Sequence, residues 1–258
     1  MRVPPSIRRG AEVIRALTIS DLRVRYGRGR LRSLKWLLDP YAAAGVYLIL
    51  VAFVLNRPGR APGLSIACAI VPFQLVMATI VNALSSVQLR GAILVNMAFQ
   101  RLLIPVASTV TESIAFAASL TLLALMMAAY AVAPTGAVAW LPLILVVTFL
   151  FALGLAYPAA LVGLWYQELN TFIVSGVRTA FFLAAGVVAL GQAHGGAHLV
   201  LSLNPLTAIF EAYRDALLYG HAPAAWELVY PLGVAVLLLC IFVPLFQREQ
   251  SQFAKVIE

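Results

Sequence analysis

Two charged residues sit where charge is most costly, inside long apolar stretches: Glu112 and Arg178. An ionisable side chain at such depth is a functional hypothesis by default. At 1.5 Å per residue, Glu112 lies about 16 Å along its helix from Arg101, and Arg178 about 12 Å along another from Asn170. The expectation is an intramembrane ion pair, Glu112 with Arg178. The alternative is separate hydration or snorkelling of each. A third charged group, Glu211, Arg214 and Asp215, follows an Asn204-Pro205 corner and is expected on the wetter side of a short helical pair. His194 and His198 are four apart but flank Gly195-Gly196, where a helix is disfavoured, so they do not read as metal ligands. Cys68 and Cys240 lack CxxC spacing and read as small core residues. There is no GxxxxGK[ST] phosphate loop, no HExxH and no Ser/His/Asp or Cys/His set. No catalytic residue is assigned, and the chain is not expected to hydrolyse ATP by itself.

The elements that must carry these residues follow from composition. Of 258 residues, 62% are hydrophobic and 11% charged, the balance of a polytopic membrane protein. The net charge of +8 is concentrated: ten of the eighteen Lys and Arg residues precede Asp39. That argues against nucleic acid and for a cytoplasmic anchor beside the first span. Within it, Arg23, Arg25, Arg28, Arg30, Arg32 and Lys35 place six cations in thirteen residues. Upstream, residues 7–26 divide into an apolar face with Ile7, Ile14, Leu17 and Leu22 and a basic face with Arg8, Arg9, Arg15 and Arg23. This is the pattern of an amphipathic helix lying in the membrane interface.

Charge-free runs then mark an all-α membrane domain of six transmembrane helices, near 36–55, 64–87, 103–130, 141–165, 171–190 and 228–246. Residues 1–35 form the cytoplasmic N-terminal segment and 247–258 a cytoplasmic tail. Residues 90–101, bounded by Arg90 and Arg101, are too short to cross and suit a brief cytoplasmic helix. Residues 196–220 suit a re-entrant helical pair before the last span, because a proline disfavours helix at the residue before it. Six spans with basic N-terminal flanks put both termini in the cytoplasm.

The order of elements resembles the membrane subunit of ABC-2 type exporters, especially those for O-antigen, capsule or teichoic acid. Three stretches carry the likeness. LTISDLRVRYGRGRLRSLKWLLDP, Leu17 to Pro40, is similar to the family's N-terminal signature, with the usual glycine before the tryptophan replaced near Arg32 and Ser33. ILVNMAFQRLLIP, Ile93 to Pro105, occupies the place of the coupling segment, with Val95-Asn96 and Gln100-Arg101-Leu102 where Lys-Lys and Pro-Arg-Glu are usual. LNPLTAIFEAYRDALLYG, Leu203 to Gly220, matches an Asn-Pro-Leu stretch followed by a helix with Arg and a final Gly. After the fourth span the usual Arg-Asp is Tyr166-Gln167-Glu168-Leu169.

The resemblance implies a homodimer in the cytoplasmic (inner) membrane on a separate dimeric ATPase, which would bind ATP and magnesium, none being held by this chain. The cargo implied is a polyprenyl-pyrophosphate-linked glycan. Arg25, Arg28, Arg30 and Arg32 would then meet the pyrophosphate, since guanidinium forks match phosphate oxygens. Tyr41, Tyr47, Phe73, Trp165 and Tyr166 are candidates for stacking on sugars in the channel, against the commoner use of such residues in packing and anchoring. Ile93, Asn96, Met97, Phe99 and Arg101 would dock on the ATPase. Asn204, Pro205, Glu211 and Arg214 would cap the exit as an outer gate. Two other readings stand beside it: an ABC-2 drug or lipid exporter, and a membrane glycosyl or acyl transferase, which would want acidic or His clusters that are absent.

Overall fold

The computed structural model describes residues 5–26, 61–89 and 100–249, with 38, 41, 42 and 45. The expected first span is therefore outside the described residues except at those four positions. So are Tyr47, the coupling segment up to Phe99 and the tail beyond 249. The described part is all-helical: α1 Pro5–Tyr26, α2 Pro62–Leu89, α3 Leu103–Ala129, α4 Leu141–Trp165, α5 Asn170–Phe182, α6 Gly196–Ser202, α7 Pro205–Arg214 and α8 Ala225–Glu249. Among the described residues, four helices are long and apolar enough to cross a membrane: Pro62–Val87, Leu103–Ala129, Gly136–Trp165 and Ala225–Glu249.

Side-chain chemistry sets the ends of these helices. Ala131 takes a left-handed φ of 52° after α3. Thr135 then caps a short 3-10 turn, Gly136–Trp140, by accepting the Ala137 N–H at 3.2 Å. Asn204 caps α7 by accepting the Leu206 N–H at 3.0 Å, and Pro205 fills the first helical position, where its missing donor costs nothing. Glu227 reaches back to the Ala224 N–H at 3.2 Å and closes the first turn of α8.

The bundle is built around α2, which packs against α3, α4 and α7 and is the most enclosed of the four spans. Between α2 and α4 the contact is backbone to backbone: a Cβ at Gly163 would overlap the Leu84 carbonyl. Between α4 and α8, a Cβ at Gly154 would lie 3.1 Å from the Ala235 carbonyl oxygen. In lipid, where apolar side chains gain little by leaving the solvent, such close approaches supply much of the association energy. The hydrogen bond from Thr135 Oγ1 to the Gly220 carbonyl, 3.2 Å, and the seat of Arg214 on Ser65 define one end of the bundle, called upper here. The lower end holds Leu89, Trp165 and the Tyr157 hydroxyl, which donates to the Leu102 carbonyl at 3.1 Å.

Two elements differ from expectation. Helix α1 is seated along α3: its stripe Gly10, Val13, Ile14, Leu17, Thr18 and Asp21 is partly or fully buried, while Arg9, Arg15 and Arg23 are exposed. Asp21, which spoils the apolar face in the sequence, accepts a 3.4 Å hydrogen bond from Thr111 Oγ1 on α3. The second difference is at 171–190, expected as one span. The helix there stops at Phe182 after 13 residues, about 20 Å, short of the ~30 Å hydrocarbon core. Ala185 takes φ of 51°, and Gly186 then comes so close to Phe181 that a Cβ would lie 2.5 Å from its carbonyl oxygen.

Candidate functional site

Helix α7 is short, and all nine residues from Leu206 to Arg214 are buried. It lies among α2, α4 and α8 at the upper end. An element enclosed this way must satisfy every polar group internally, because neither lipid nor packed side chains can. The polar residues of α7 do so by bonding the backbone that the break after α5 has left without helical partners.

Arg214 has no exposed surface. Its Nη1 donates to Glu211 Oε1 at 2.8 Å, and its Nη2 to the carbonyls of Ala185 at 2.9 Å and Gly186 at 3.3 Å. Its Nε donates to Ser65 Oγ and to the Ser65 carbonyl, both at 3.1 Å, on the first turn of α2. The same Glu211 oxygen accepts the Leu190 N–H at 2.7 Å. At the other end of α7, Asn204 Nδ2 donates to the carbonyls of Ala180 and Leu183, each at 3.4 Å. Three side chains thus hold five backbone groups of residues 180–190. Aromatic packing completes the seat: Phe181 lies against Phe73 with ring centroids 4.9 Å apart and against Phe210 at 6.0 Å.

The expectation for Glu211 and Arg214 is therefore corrected. They do not face water on the wetter side of the pair; they form a buried ion pair between α2, α7 and the broken strand of chain. A charge so enclosed is tolerated because its partner and four further acceptors surround it. Asp215, outside the four spans, does behave as a wetter neighbour. Its carboxylate lies 3.4 Å from His221 Nδ1, and burial pushes its pKa up to about 6, with a protonated His221 opposing that rise and the Glu211 charge adding to it. Tyr219 stacks on His221 with centroids 5.9 Å apart.

The Glu112–Arg178 pair is also corrected. Glu112 is buried on α3 and accepts a 3.0 Å hydrogen bond from Asn82 Nδ2 of α2, whereas Arg178 is exposed on α5. Similar depth did not fix the direction in which each side chain leaves its helix. Phe73 is a core residue packed on Phe181, not a wall of an open channel. Tyr41 is half-buried and its hydroxyl is 2.8 Å from Thr121 Oγ1 of α3. Trp165 and Tyr166 are exposed at the lower end of α4. Arg101 is half-buried in the turn before α3, while Ile93, Asn96, Met97 and Phe99 lie outside the described residues. Arg25 falls in the last turn of α1; its side chain and residues Arg28, Arg30 and Arg32 are outside as well. A groove of about 320 Å³ runs along α1 beside Ala16, Ile19, Ser20, Arg23 and Val24.

The residues that sequence reasoning missed are the acceptors, Ser65, Ala185 and Gly186, and the Asn82 partner of Glu112. An i,i+3 spacing of Glu211 and Arg214 was a usable sign of their pairing. Nothing in the residue types marked the carbonyls.

No family model matches the chain. It is similar to the O-antigen export system permease protein RfbA of Myxococcus xanthus, 27% identical over 245 residues that cover 93% of both chains. It is also similar to two proteins of the same description from Klebsiella pneumoniae, each 20% identical over 248 residues and 95% of both chains.

Proposed function

We infer that this chain belongs with the O-antigen export permeases and is the membrane subunit of an ABC-2 type exporter. The observation that carries this reading is likeness over 93% or more of both chains to three permeases of that description. The four described spans and the buried helix after an Asn-Pro corner are in keeping with it.

In this reading the chain has six spans in the cytoplasmic membrane, the first within 36–55 and the fifth from the 171–190 run. Both termini are cytoplasmic, so the lower end faces the cytoplasm and the upper end is the exit. Two copies line the path and sit on a separate dimeric ATPase, which binds ATP and magnesium and supplies the energy. The cargo is a glycan on polyprenyl pyrophosphate. Arg25, Arg28, Arg30 and Arg32 hold its pyrophosphate by charge-assisted hydrogen bonds. Ile93 to Arg101 pass the ATPase stroke to the spans. Asn204, Pro205, Glu211 and Arg214 frame the outer gate.

Deleting the gene tests this. The expected result is loss of surface O-antigen, accumulation of lipid-linked glycan on the cytoplasmic side, and restoration by the intact chain. Affinity purification from native membranes should bring down an ATPase with a Walker motif. Unchanged surface polysaccharide, or glycosyl transfer by the chain alone, rejects the reading in favour of an enzyme.

A further inference from the structure

The groups held by the Glu211–Arg214 pair are related to each other in a specific way. In a continuous helix the Leu190 N–H would donate to the Gly186 carbonyl, four residues back. Here the Leu190 N–H goes to Glu211 at 2.7 Å and the Gly186 carbonyl to Arg214 at 3.3 Å. The ion pair is inserted into that one missing helical bond. The neighbouring bond is opened the same way: the Ala185 carbonyl, which would accept from Ala189, accepts from Arg214 at 2.9 Å. Lower down, the Ala180 and Leu183 carbonyls, whose helical donors would be Ala184 and Val187, are held by Asn204.

We propose that residues 183–190 are the hinge of the exit gate, switching between this broken form and a continuous fifth helix, with the Glu211–Arg214 pair as the wedge that holds it broken. This rests on the exporter reading and assigns the moving part of its gate. The five groups held by α7 and its cap in the broken form, the Ala180, Leu183, Ala185 and Gly186 carbonyls and the Leu190 N–H, would all find partners within a continuous helix, so each form supplies bonds for them, as a two-state element in a membrane needs. The broken form carries a left-handed Ala185, a conformation an L side chain adopts only at a cost. The continuous form removes that cost and gives a helix of 171–190 long enough to cross, about 30 Å. It also strips Glu211 and Arg214 of their backbone partners, so they need water. Water reaches them only when the upper end opens. Broken is therefore closed, with Ala184, Ala185, Ala189 and Leu190 buried in the upper end, and continuous is open.

The geometry gives the switch a measurable length. The ion pair stands between the Leu190 N–H and the Gly186 carbonyl, which a continuous helix would bond to each other, so the two forms differ in the path of the chain after Gly186. Spin labels at Phe172 and Gln192, both exposed, would be roughly 30 Å apart on a continuous helix and at a different separation in the broken form. The experiment uses the full-length chain as F172C/Q192C in a C68A/C240A background, in membranes with its ATPase. Pulsed electron resonance should give one distance at rest and a second population near 30 Å during ATP turnover. A185G, which removes the left-handed cost and adds a glycine to the continuous helix, should shift the balance toward the resting distance by roughly tenfold and slow export comparably. G186A should move the balance the other way, because its Cβ would meet the Phe181 carbonyl only in the broken form. One unchanging distance in the parent and in A185G, at rest and during turnover, overturns the hinge. The exporter reading is judged separately, by whether the unlabelled parent restores surface O-antigen to the deletion strain.

Discussion

On α1, Arg9, Arg15 and Arg23 stand exposed along one face, while Leu17 and Thr18 are buried against the bundle. On α7, Arg214 has no exposed surface and is surrounded by one carboxylate, a hydroxyl and three carbonyls. The same side chain is used in opposite ways at the two places. In the proposed reading the α1 cations act by position: each adds about 1 kcal/mol of attraction to an anionic lipid surface, and no single contact decides the outcome. Arg214 acts through its partners, and the low dielectric that strengthens those bonds makes the loss of any one of them costly. Charge in the first region is additive and replaceable; in the second it is cooperative and exact in its geometry.

The sharpest way to break that comparison is to remove the buried arginine. R214M leaves Glu211 charged and enclosed and abandons the Ala185, Gly186 and Ser65 acceptors, so the purified protein should lose about 3–5 kcal/mol of stability. Thermal unfolding in detergent measures it. E211Q/R214M should cost clearly less than the sum of its two single variants, because the pair is one unit; additive losses would show that the two residues act independently. N204A comes next. It removes the α7 cap and the amide bonds to Ala180 and Leu183, and should cost about 1–2 kcal/mol in the same assay.

A smaller effect is expected at Asp215. Its pKa is raised from 3.8 to about 6, so the folded protein holds a proton that the unfolded chain releases. That contribution to stability is fully present below about pH 3.8 and is lost as pH rises through about 6. A melting profile across that window should slope downward in the parent and be flatter in D215N. The smallest effect belongs to α1: R15Q/R23Q should lower the melting temperature by no more than about 2 °C. The same variant should bind anionic vesicles measurably less. A large loss of stability in R15Q/R23Q would erase the distinction between the two regions.

The ends of α2, α3, α4 and α8 were legible because charge-free runs, Pro134, Gly136 and Pro142 punctuate the chain at the scale of a bilayer. So was the corner at Asn204-Pro205, where the cap and the proline act locally. The stop after Phe182 was not, since FFLAAGVVAL has no strong breaker and reads as helix throughout. What breaks it is tertiary: side chains of α7, 20 or more residues away, bond the carbonyls that the helix would have used. The pairing of Glu112 with Asn82 and the exposure of Arg178 were hidden for a related reason, because depth along a helix says nothing about which neighbour each face meets. Asp21 shows the converse. It looked like a flaw in an amphipathic pattern and is the polar end of the seam between α1 and α3.

The contact of Gly163 with the Leu84 carbonyl has a mechanical consequence. At Gly163 α2 and α4 meet with no side chain between them, and sliding one past the other by a turn would bring Ala159 or Ala160, on the same face, against the Leu84 main chain, where a Cβ has no room. In the proposed exporter these two helices would serve as the stator. Displacement during a transport stroke has to be taken up at the seams around them, so a distance measured from α2 to α4 should stay constant while the outlet opens and provides the fixed frame in which every other motion is read.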